Sequence, residues 1–315
     1  MFEHWPRAVH PDLQKLDDDA QKILEGVLSS AGDASRLKKL KSSVIALLTA
    51  SWWPYTSFDA LRVATIMSIW LFIWDDETDS YEYSQLINDY DRSCVYRDET
   101  IRYIRGGLSL DSPKIDLGSI SNDRTITMFK PVGEAIAKSC TQRQIQRFFD
   151  ELLLFVQMTE EEHLSQTKHI IPTVEEYLER RMGSSAVGVC LAIHEYALGI
   201  ELPKEVMDDR AMKALWHETN IIISTVNDCL SIKKEVILQA QSQVDTLIPL
   251  LCPKLGSAQA AADVALEMIR SATSQFQAAE AEILQRYSHI PHIHDDLQRF
   301  VDSCKYACTA NLDWR

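Results

Sequence analysis

The chain has 315 residues, enough to bury a sizeable core in one large domain or in two ordinary ones. Its 46 acidic and 32 basic residues give a net charge of −14, which argues against sequence-independent nucleic-acid binding because phosphate contacts need a basic face. Long stretches of good helix formers separate the 10 glycines and 10 prolines, so the composition predicts a mostly helical protein.

Helical patterns follow one another along the chain with short breaks. The predicted helices cover about residues 11–30, 34–50, 57–80, 82–105, 122–139, 142–168, 173–199, 208–240, 255–287 and 292–312. Thr141 with Gln144 and Thr173 with Glu176 match the capping box, in which two side chains satisfy backbone N–H groups at a helix start. With no strand pattern and no internal repeat, the sequence predicts an all-α fold.

One interval could divide the chain into two domains. Residues 106–123 are rich in Gly, Ser, Asp and other turn residues. No low-complexity linker and no shift in composition accompany this interval. We therefore expect a single domain that spans residues 1–315.

The chain is expected to be a cytoplasmic protein. Its first twelve residues lack the basic patch and apolar core of a secretory signal. The apolar run 58–74 is interrupted by Asp59 and Arg62 and is too short to span a membrane. The 7 cysteines form neither a disulfide nor a zinc pattern, which is typical of a reducing compartment.

The same apolar run leads directly into an acidic cluster, D-D-E-T-D, at residues 75–79. Asp75 and Asp79 are four residues apart, so on a helix they lie on one face and repel each other unless a cation sits between them. The helix macrodipole also disfavours carboxylates at a C-terminus. The cluster therefore predicts a cation site, and the alternative is a frayed helix end that happens to be acidic.

A second polar row lies in N-D-C-L-S-I-K-K-E, at residues 227–235. Asn227, Ser231 and Glu235 are each four residues apart, which places an amide, a hydroxyl and a carboxylate in one row along a helix. Such hard oxygen ligands suit Mg²⁺, which completes its octahedron with water and substrate phosphates. Lys234 beside the row offers a positive charge to phosphate. The alternative is a solvated polar face of a long helix.

Together the two motifs resemble the metal-binding motifs of class I terpene synthases, D-D-x-x-D/E and N-D-x-x-S-x-x-K-E. Their spacing and the chain length are similar to those of the fungal sesquiterpene cyclases. The resemblance implies a single-domain helical barrel around a central cavity that binds a prenyl diphosphate through three Mg²⁺ ions. By this resemblance Asp75 would ligate two of the ions, Asp79 is a further candidate ligand, and Asn227, Ser231 and Glu235 would hold the third.

The segment Y-L-E-R-R-M-G-S-S, at residues 177–185, resembles the family segment in which an arginine senses diphosphate before a helix break. The resemblance implies that Arg181 is this arginine and that Arg181 and Lys234 bind the diphosphate. It also implies that Ser184 and Ser185 occupy the linker and effector positions, although the family often has glycine at the second of these.

Two glycines flank this segment. Gly183 and Gly188 would each weaken a helix interior, which predicts a kink between them. The alternative is that the small residues let two helices pack closely.

The resemblance further implies a cavity lining that stabilises carbocations, which aromatic faces do by cation–π attraction. Phe72 is the leading candidate because it precedes Asp75 by three residues, about one helical turn. Trp314 follows from the resemblance, and Asn220 shares a helix face with Asn227. Weaker aromatic candidates, for which a place in the core is the commoner outcome, are Trp52, Trp53, Tyr55 and Trp216.

Four other stretches lead to further expectations. Residues 289–296 are expected to form a loop and an acidic first helical turn, and residues 17–19 and 160–163 are expected to be solvated faces. Residues 310–315, A-N-L-D-W-R, resemble the family stretch that precedes an Arg-Tyr pair, but Arg315 follows Trp314 too closely to be that arginine.

The predicted function is Mg²⁺-dependent ionisation and cyclisation of farnesyl diphosphate or another linear prenyl diphosphate to a sesquiterpene hydrocarbon or alcohol. One alternative is a chain-elongating isoprenyl diphosphate synthase, which is expected to have a second aspartate-rich motif. The other is a non-catalytic helical binding or scaffold protein. The expected partner is a small prenyl diphosphate rather than nucleic acid or a membrane, and the expected assembly is a monomer or a homodimer.

Overall fold

The described part of the chain is built from α-helices joined by short turns. A computed structural model describes residues 2–80, 82–238 and 246–314, without the side chains of residues 233–238. Its helices are α1 (Leu13–Val27), α2 (Ala34–Ser42), α3 (Ile45–Trp52), α4 (Phe58–Asp79), α5 (Tyr90–Gly107), α6 (Arg124–Thr127), α7 (Lys130–Ser139), α8 (Gln142–Thr167), α9 (Val174–Ser184), α10 (Val187–Ala192), α11 (His194–Leu198), α12 (Lys204–Met207), α13 (Arg210–Leu238), α14 (Leu247–Leu255), α15 (Ala258–Tyr287) and α16 (Pro291–Trp314). These residues contain no strand, which confirms the all-α class.

Both predicted capping boxes are present at helix starts. The Thr141 backbone N–H donates to Gln144 Oε1 at 2.9 Å, and this pair begins α8. The Thr173 N–H donates to Glu176 Oε2 at 2.8 Å, and this pair begins α9. Since α8 and α9 pack along each other, the two caps fix the starts of neighbouring helices.

Several predicted helices are divided in the structure. Residues 34–50 form α2 and α3 because Val44, between them, adopts a left-handed backbone with φ 50°. Residues 173–199 form α9, α10 and α11, with Ala186 left-handed at the first break. Helix α14 was missed, because Pro253 within it and Gly256 at its end both weaken a helical pattern.

Helix α4 occupies the centre of the fold. Ile69, Trp70, Ile73 and Trp74 have no exposed surface, and α4 packs against α1, α3, α7 and α8. A helix that is apolar on nearly all sides must be surrounded by other elements, so the apolar run 58–74 specifies a core helix. None of the described helices combines the length and apolar character that crossing a membrane requires.

One hydrophobic core joins the two ends of the described chain. Trp5 packs on Phe276 of α15, with 4.9 Å between ring centroids. At the other end of the sequence, α16 packs along α3 and α13. The N-terminal segment and the last helix therefore belong to the same hydrophobic core. Helices α4 and α13 place polar side chains in the lining of one cavity.

Candidate active site

A cavity of about 440 Å³ lies between α4, α8, α9, α13 and α16. This volume is within the range of small-molecule sites. Along α4 the lining changes from Ser68, Leu71 and Phe72 to Asp75 and Asp79 over about three turns. The cavity therefore has apolar and acidic parts on consecutive turns of one helix.

The four acidic residues of D-D-E-T-D divide into two pairs. Arg36 and Lys39 of α2 contact Asp76, with Arg36 Nε 3.3 Å from Oδ2 and Lys39 Nζ 3.0 Å from Oδ1. Arg36 also pairs with Glu77. Asp76 and Glu77 are thus neutralised by α2. Asp75 and Asp79 lie one turn apart on the cavity lining, which also includes Asp76.

Glu162 of α8 brings a third carboxylate to Asp75 and Asp79. The surrounding protein desolvates the Asp75 carboxyl, and the charges of Asp76 and Glu162 add to this, so the pKa of Asp75 rises to about 7. Desolvation, Glu162 and Asp75 raise the pKa of Asp79 well above its ordinary value. Such a cluster attracts a cation, because bound positive charge removes the repulsion among the carboxylates.

The interpretation of residues 160–163 as a solvated face is wrong. Glu162 lines the cavity, and His163 is 2% exposed with Nε2 2.8 Å from the carbonyl oxygen of Ile87. Phe155, Glu162 and Gln166 share the cavity lining and are spaced by seven and four residues. The seven-residue spacing places Glu162 on the same helix face as the apolar Phe155, and this was the sequence signal that the Glu162 carboxylate faces inward.

Helices α9 and α13 form the opposite wall of the cavity. Asn227 and Ser231 of α13 line it together with Arg181 of α9. Arg181 Nη2 is 3.5 Å from Asn227 Oδ1 and 3.3 Å from Asp228 Oδ1. The side chains of Lys234 and Glu235 lie outside the described residues, so their assignments as phosphate and metal ligand stay predictions.

The donor set of the cavity fits Mg²⁺. Asp75, Asp79 and Glu162 offer carboxylates, and Asn227 and Ser231 offer an amide and a hydroxyl oxygen. Within the described ranges, no group of three or more His, Cys, Asp and Glu side chains is arranged to hold a metal by itself. Mg²⁺ does not require one, because it binds few protein oxygens and keeps sites for water and substrate phosphate.

The lining also contains one thiol, Cys190. Burial raises the pKa of Cys190 to about 12. The thiol therefore stays protonated at neutral pH.

The helix break predicted after Arg181 is present, and it lies between Gly183 and Gly188, where the kink was predicted. Helix α9 ends at Ser184, and Ala186 adopts a left-handed backbone with φ 58° before α10 begins. A Cβ at Gly183 would lie 2.9 Å from Leu154 Cγ of α8. Gly183 also allows close helix packing, as the alternative interpretation proposed, and the turn itself falls on Ala186.

Asn220 is absent from the described residues that line the cavity, contrary to expectation. Its Nδ2 donates to the carbonyl of Met182 at 2.8 Å, and its Oδ1 accepts from the Ser185 hydroxyl at 3.1 Å. Asn220 thus ties α13 to the break between α9 and α10. Ser184 and Ser185 both line the cavity.

The aromatic candidates fall into two groups. Phe72 and Trp314 both line the cavity, with 5.9 Å between their ring centroids, and Trp52 lines it as well. The other candidates do not appear in the described lining: Trp53 packs on His194, Tyr55 is 73% exposed, and Trp216 stacks on Phe300. Aromatic identity alone did not distinguish cavity wall from core.

Comparison with known proteins identifies the family of this chain. Residues 67–275 match the family model described as terpene synthase family 2, C-terminal metal binding. The chain is 30% identical over 319 residues to the sesquiterpene cyclase hepA of Aspergillus oryzae, covering 99% of this chain and 84% of that protein. It is 26% identical over 315 residues to the terpene cyclase braA of Annulohypoxylon truncatum, covering 98% and 80%.

A solved structure shares the fold. The crystal structure of a-eudesmol synthase superposes with a TM-score of 0.82 at 17% identity, covering 99% of this chain and 96% of that chain. The chain therefore belongs to the terpene synthase family and has the class I helical fold, as the two motifs predicted. Its relatives include proteins named sesquiterpene cyclase, terpene cyclase and sesquiterpene synthase, and neither the chain-elongating nor the scaffold alternative is favoured.

Proposed function

We propose that this protein ionises and cyclises farnesyl diphosphate to a sesquiterpene hydrocarbon or alcohol and releases diphosphate. The observation that supports this most directly is the shared lining of one cavity by Asp75 and Asp79, by Asn227 and Ser231, and by apolar side chains. The acidic end suits metal ions and the diphosphate head, and the apolar part suits a hydrocarbon tail.

Several side chains would hold three Mg²⁺ ions at the diphosphate end. Asp75, with Asp79 as a further ligand, would bind ions on the α4 side, and Asn227, Ser231 and Glu235 would bind one on the α13 side. When bound, these ions supply Lewis-acid charge that stabilises the departing diphosphate.

The remaining groups would bind substrate and protect the cation. Arg181 and Lys234 would donate to diphosphate oxygens, with Ser184 and Ser185 linking this contact to the helix break. Phe72 and Trp314 would place their ring faces beside the allylic cation, where desolvated cation–π attraction is worth about 2 kcal/mol. Their apolar neighbours Leu48, Leu71 and Ile223 would exclude water until cyclisation is complete.

We further propose that residues 1–315 act as a single catalytic domain in the cytoplasm, as a monomer or a homodimer. The continuous core from Phe2 to Ala310 supports the single domain. Gel filtration with light scattering measures the assembly, and a larger oligomer would contradict this expectation.

The substrate assignment is tested by incubation with C10, C15 and C20 prenyl diphosphates and Mg²⁺, followed by gas chromatography with mass detection. We expect cyclic C15 products from farnesyl diphosphate and none after chelation with EDTA. Chiefly C20 products would contradict the C15 choice. Elongated diphosphates formed when isopentenyl diphosphate is added would favour a prenyl transferase.

Asn227→Ala tests the ligand assignment. We expect kcat to fall by about 100-fold or more, because the third metal site loses a direct oxygen ligand. Asp98→Asn, at an exposed position of α5, is the control and should retain wild-type turnover. Wild-type rates in Asn227→Ala, with unchanged helical circular dichroism in both variants, would refute the assignment.

A further inference from the structure

A buried carboxylate lies directly behind the proposed diphosphate-binding arginine. Asp228 of α13 is 1% exposed and uses its two oxygens on two different partners from α9. Its Oδ1 is 3.3 Å from Arg181 Nη2, and its Oδ2 accepts from the Tyr177 hydroxyl at 2.5 Å. Tyr177 and Arg181 are four residues apart, so both partners lie on one face of α9.

The geometry of this cluster fixes the position of the guanidinium. The Tyr177 hydroxyl holds the Asp228 carboxylate in one orientation, because burial keeps the phenol protonated by raising its pKa well above the ordinary value. The carboxylate in turn holds one edge of Arg181 at the cavity lining, next to Asn227. A guanidinium has five N–H donors in a fixed fork, so Arg181 can bind Asp228 and a phosphate oxygen at the same time.

Burial makes this arrangement costly to break. A carboxylate that is almost fully enclosed needs a charged or hydrogen-bonding partner, and Arg181 supplies the charge. If Arg181 swung away to reach a ligand, the Asp228 carboxylate would keep only the Tyr177 hydroxyl among its side-chain partners within the described residues. The arginine is therefore held in place while it binds, rather than released.

We propose that Asp228 is the positioning residue for diphosphate binding: it orients the Arg181 guanidinium into the cavity, and Tyr177 orients Asp228. This inference rests on the proposed function, because it assumes that Arg181 binds diphosphate. Asp228 itself does not contact the substrate.

Charge and positioning predict opposite effects of removing Asp228 on diphosphate affinity, so the inference is testable. Asp228 is negative, so its removal raises the net positive charge beside a diphosphate and, without a positioning role, should strengthen binding. If positioning dominates, Asp228→Asn should weaken binding of inorganic diphosphate in the presence of Mg²⁺ by about tenfold, the typical cost of losing a partner that orients a binding group. Isothermal titration measures the sign directly.

A double-mutant cycle shows whether Asp228 acts through Arg181. The cycle compares wild type, Asp228→Asn, Arg181→Gln and the double variant, whose fold is checked by circular dichroism. We expect Arg181→Gln to weaken diphosphate binding and the double variant to bind no more weakly than Arg181→Gln does. Tyr177→Phe keeps every charge and should weaken binding by about threefold, the effect of one lost hydrogen bond.

Two controls separate positioning from general damage. Asp209 has a side chain that is 5% exposed and pairs with Arg286 at the start of α13, away from the cavity, so Asp209→Asn should lose stability without losing diphosphate affinity. Farnesol has the apolar chain without the diphosphate, so its binding, followed by tryptophan fluorescence, should be unchanged in Asp228→Asn.

The outcomes distinguish the inference from the proposed function. No Mg²⁺-dependent binding of diphosphate to the wild type would overturn the function on which the inference rests. No effect of Arg181→Gln would overturn the assumption that Arg181 binds diphosphate, and the inference with it. If Arg181→Gln weakens binding, the inference alone is overturned by unchanged or tighter binding in Asp228→Asn. The inference is also overturned if the two substitutions act independently, so that their fold-changes in diphosphate affinity multiply in the double variant.

Discussion

The break between α9 and α10 permits a prediction about Ala186. This residue has φ 58° and ψ 8°, a left-handed conformation that costs a non-glycine residue roughly 1–2 kcal/mol. Glycine adopts the same conformation without that penalty. We therefore expect Ala186→Gly to relieve strain at the break that follows Arg181, between α9 and α10.

The expected size of the effect follows from three terms. Relief of the left-handed strain is worth about 1–2 kcal/mol. The greater freedom of glycine in the unfolded chain opposes it by about 0.4–1 kcal/mol. Ala186 is half-buried, so loss of its methyl group removes part of the roughly 0.8 kcal/mol of a buried carbon. The net expectation is a stabilisation of about 0.5 kcal/mol.

Urea unfolding of Ala186→Gly, monitored by circular dichroism, measures this change. Within an ordinary helix, replacing alanine by glycine would cost about 1 kcal/mol of unfolding free energy. The outcomes expected for a left-handed and for a helical residue 186 therefore differ by roughly 1.5 kcal/mol. Gly183→Ala is the matched control in the same segment. Its new Cβ would lie 3.0 Å from the Leu154 carbonyl oxygen as well as against side chains, so overpacking should cost about 1–3 kcal/mol.

A loss of about 1 kcal/mol in Ala186→Gly would refute the reasoning, because it would mean that the residue behaves as part of a continuous helix. Ala186→Val provides a second check. A β-branched side chain is strongly disfavoured at positive φ, so Val should be less stable than Ala at this position. The stability order Gly, Ala, Val is the expected result.

Three further predictions concern charged and titratable groups. Glu162→Gln should weaken Mg²⁺ binding in the presence of diphosphate by about tenfold, measured by isothermal titration, because the cavity loses one of its three clustered carboxylates. Burial lowers the pKa of His194 from 6.5 to about 3, so only the unfolded state gains this proton as pH falls between those values. Stability from this group is complete above pH 6.5 and should fall by about 2 kcal/mol between pH 7 and pH 5 in urea unfolding, a loss that His194→Leu should remove. Arg36→Met should cost about 3 kcal/mol of unfolding free energy, because Asp76 and Glu77 lose a cation that is 3% exposed.

Each of these predictions has a matched comparison. Glu161→Gln changes an exposed neighbour of Glu162, and equal Mg²⁺ affinity of the two variants would contradict a role for Glu162. For His194, the same pH dependence in wild type and variant would show that the buried imidazole is not its source. Lys39→Met removes a cation that is 35% exposed and should cost under about 1 kcal/mol, so equal losses at Arg36 and Lys39 would refute the burial argument.

The features predicted correctly from the sequence are those set along a single helix. The 3.6-residue repeat places Asp75 and Asp79 on one face, and Asn227 and Ser231 on another, whatever surrounds those helices. The capping boxes at Thr141 and Thr173 are equally local, because both partners lie within four residues. The class I terpene synthase motifs were recognisable for this reason.

The features decided by the tertiary structure depend on distances between helices. Glu162 joins Asp75 and Asp79 because α8 packs beside α4, and the sequence of α8 alone allowed a solvated face. Asp228 meets Tyr177 and Arg181 for the same reason across α9 and α13.

The break at Ala186 is also a tertiary outcome. The glycines on either side of it were the local signal, yet Gly183 is used where α8 approaches α9 closely. Left-handed backbone at an alanine persists only when surrounding contacts outweigh its cost, and here Asn220 of α13 bonds to Met182 and Ser185 directly before the turn. Periodicity along the chain thus determined which side chains share a face, and packing between helices determined which faces meet and where the chain must turn.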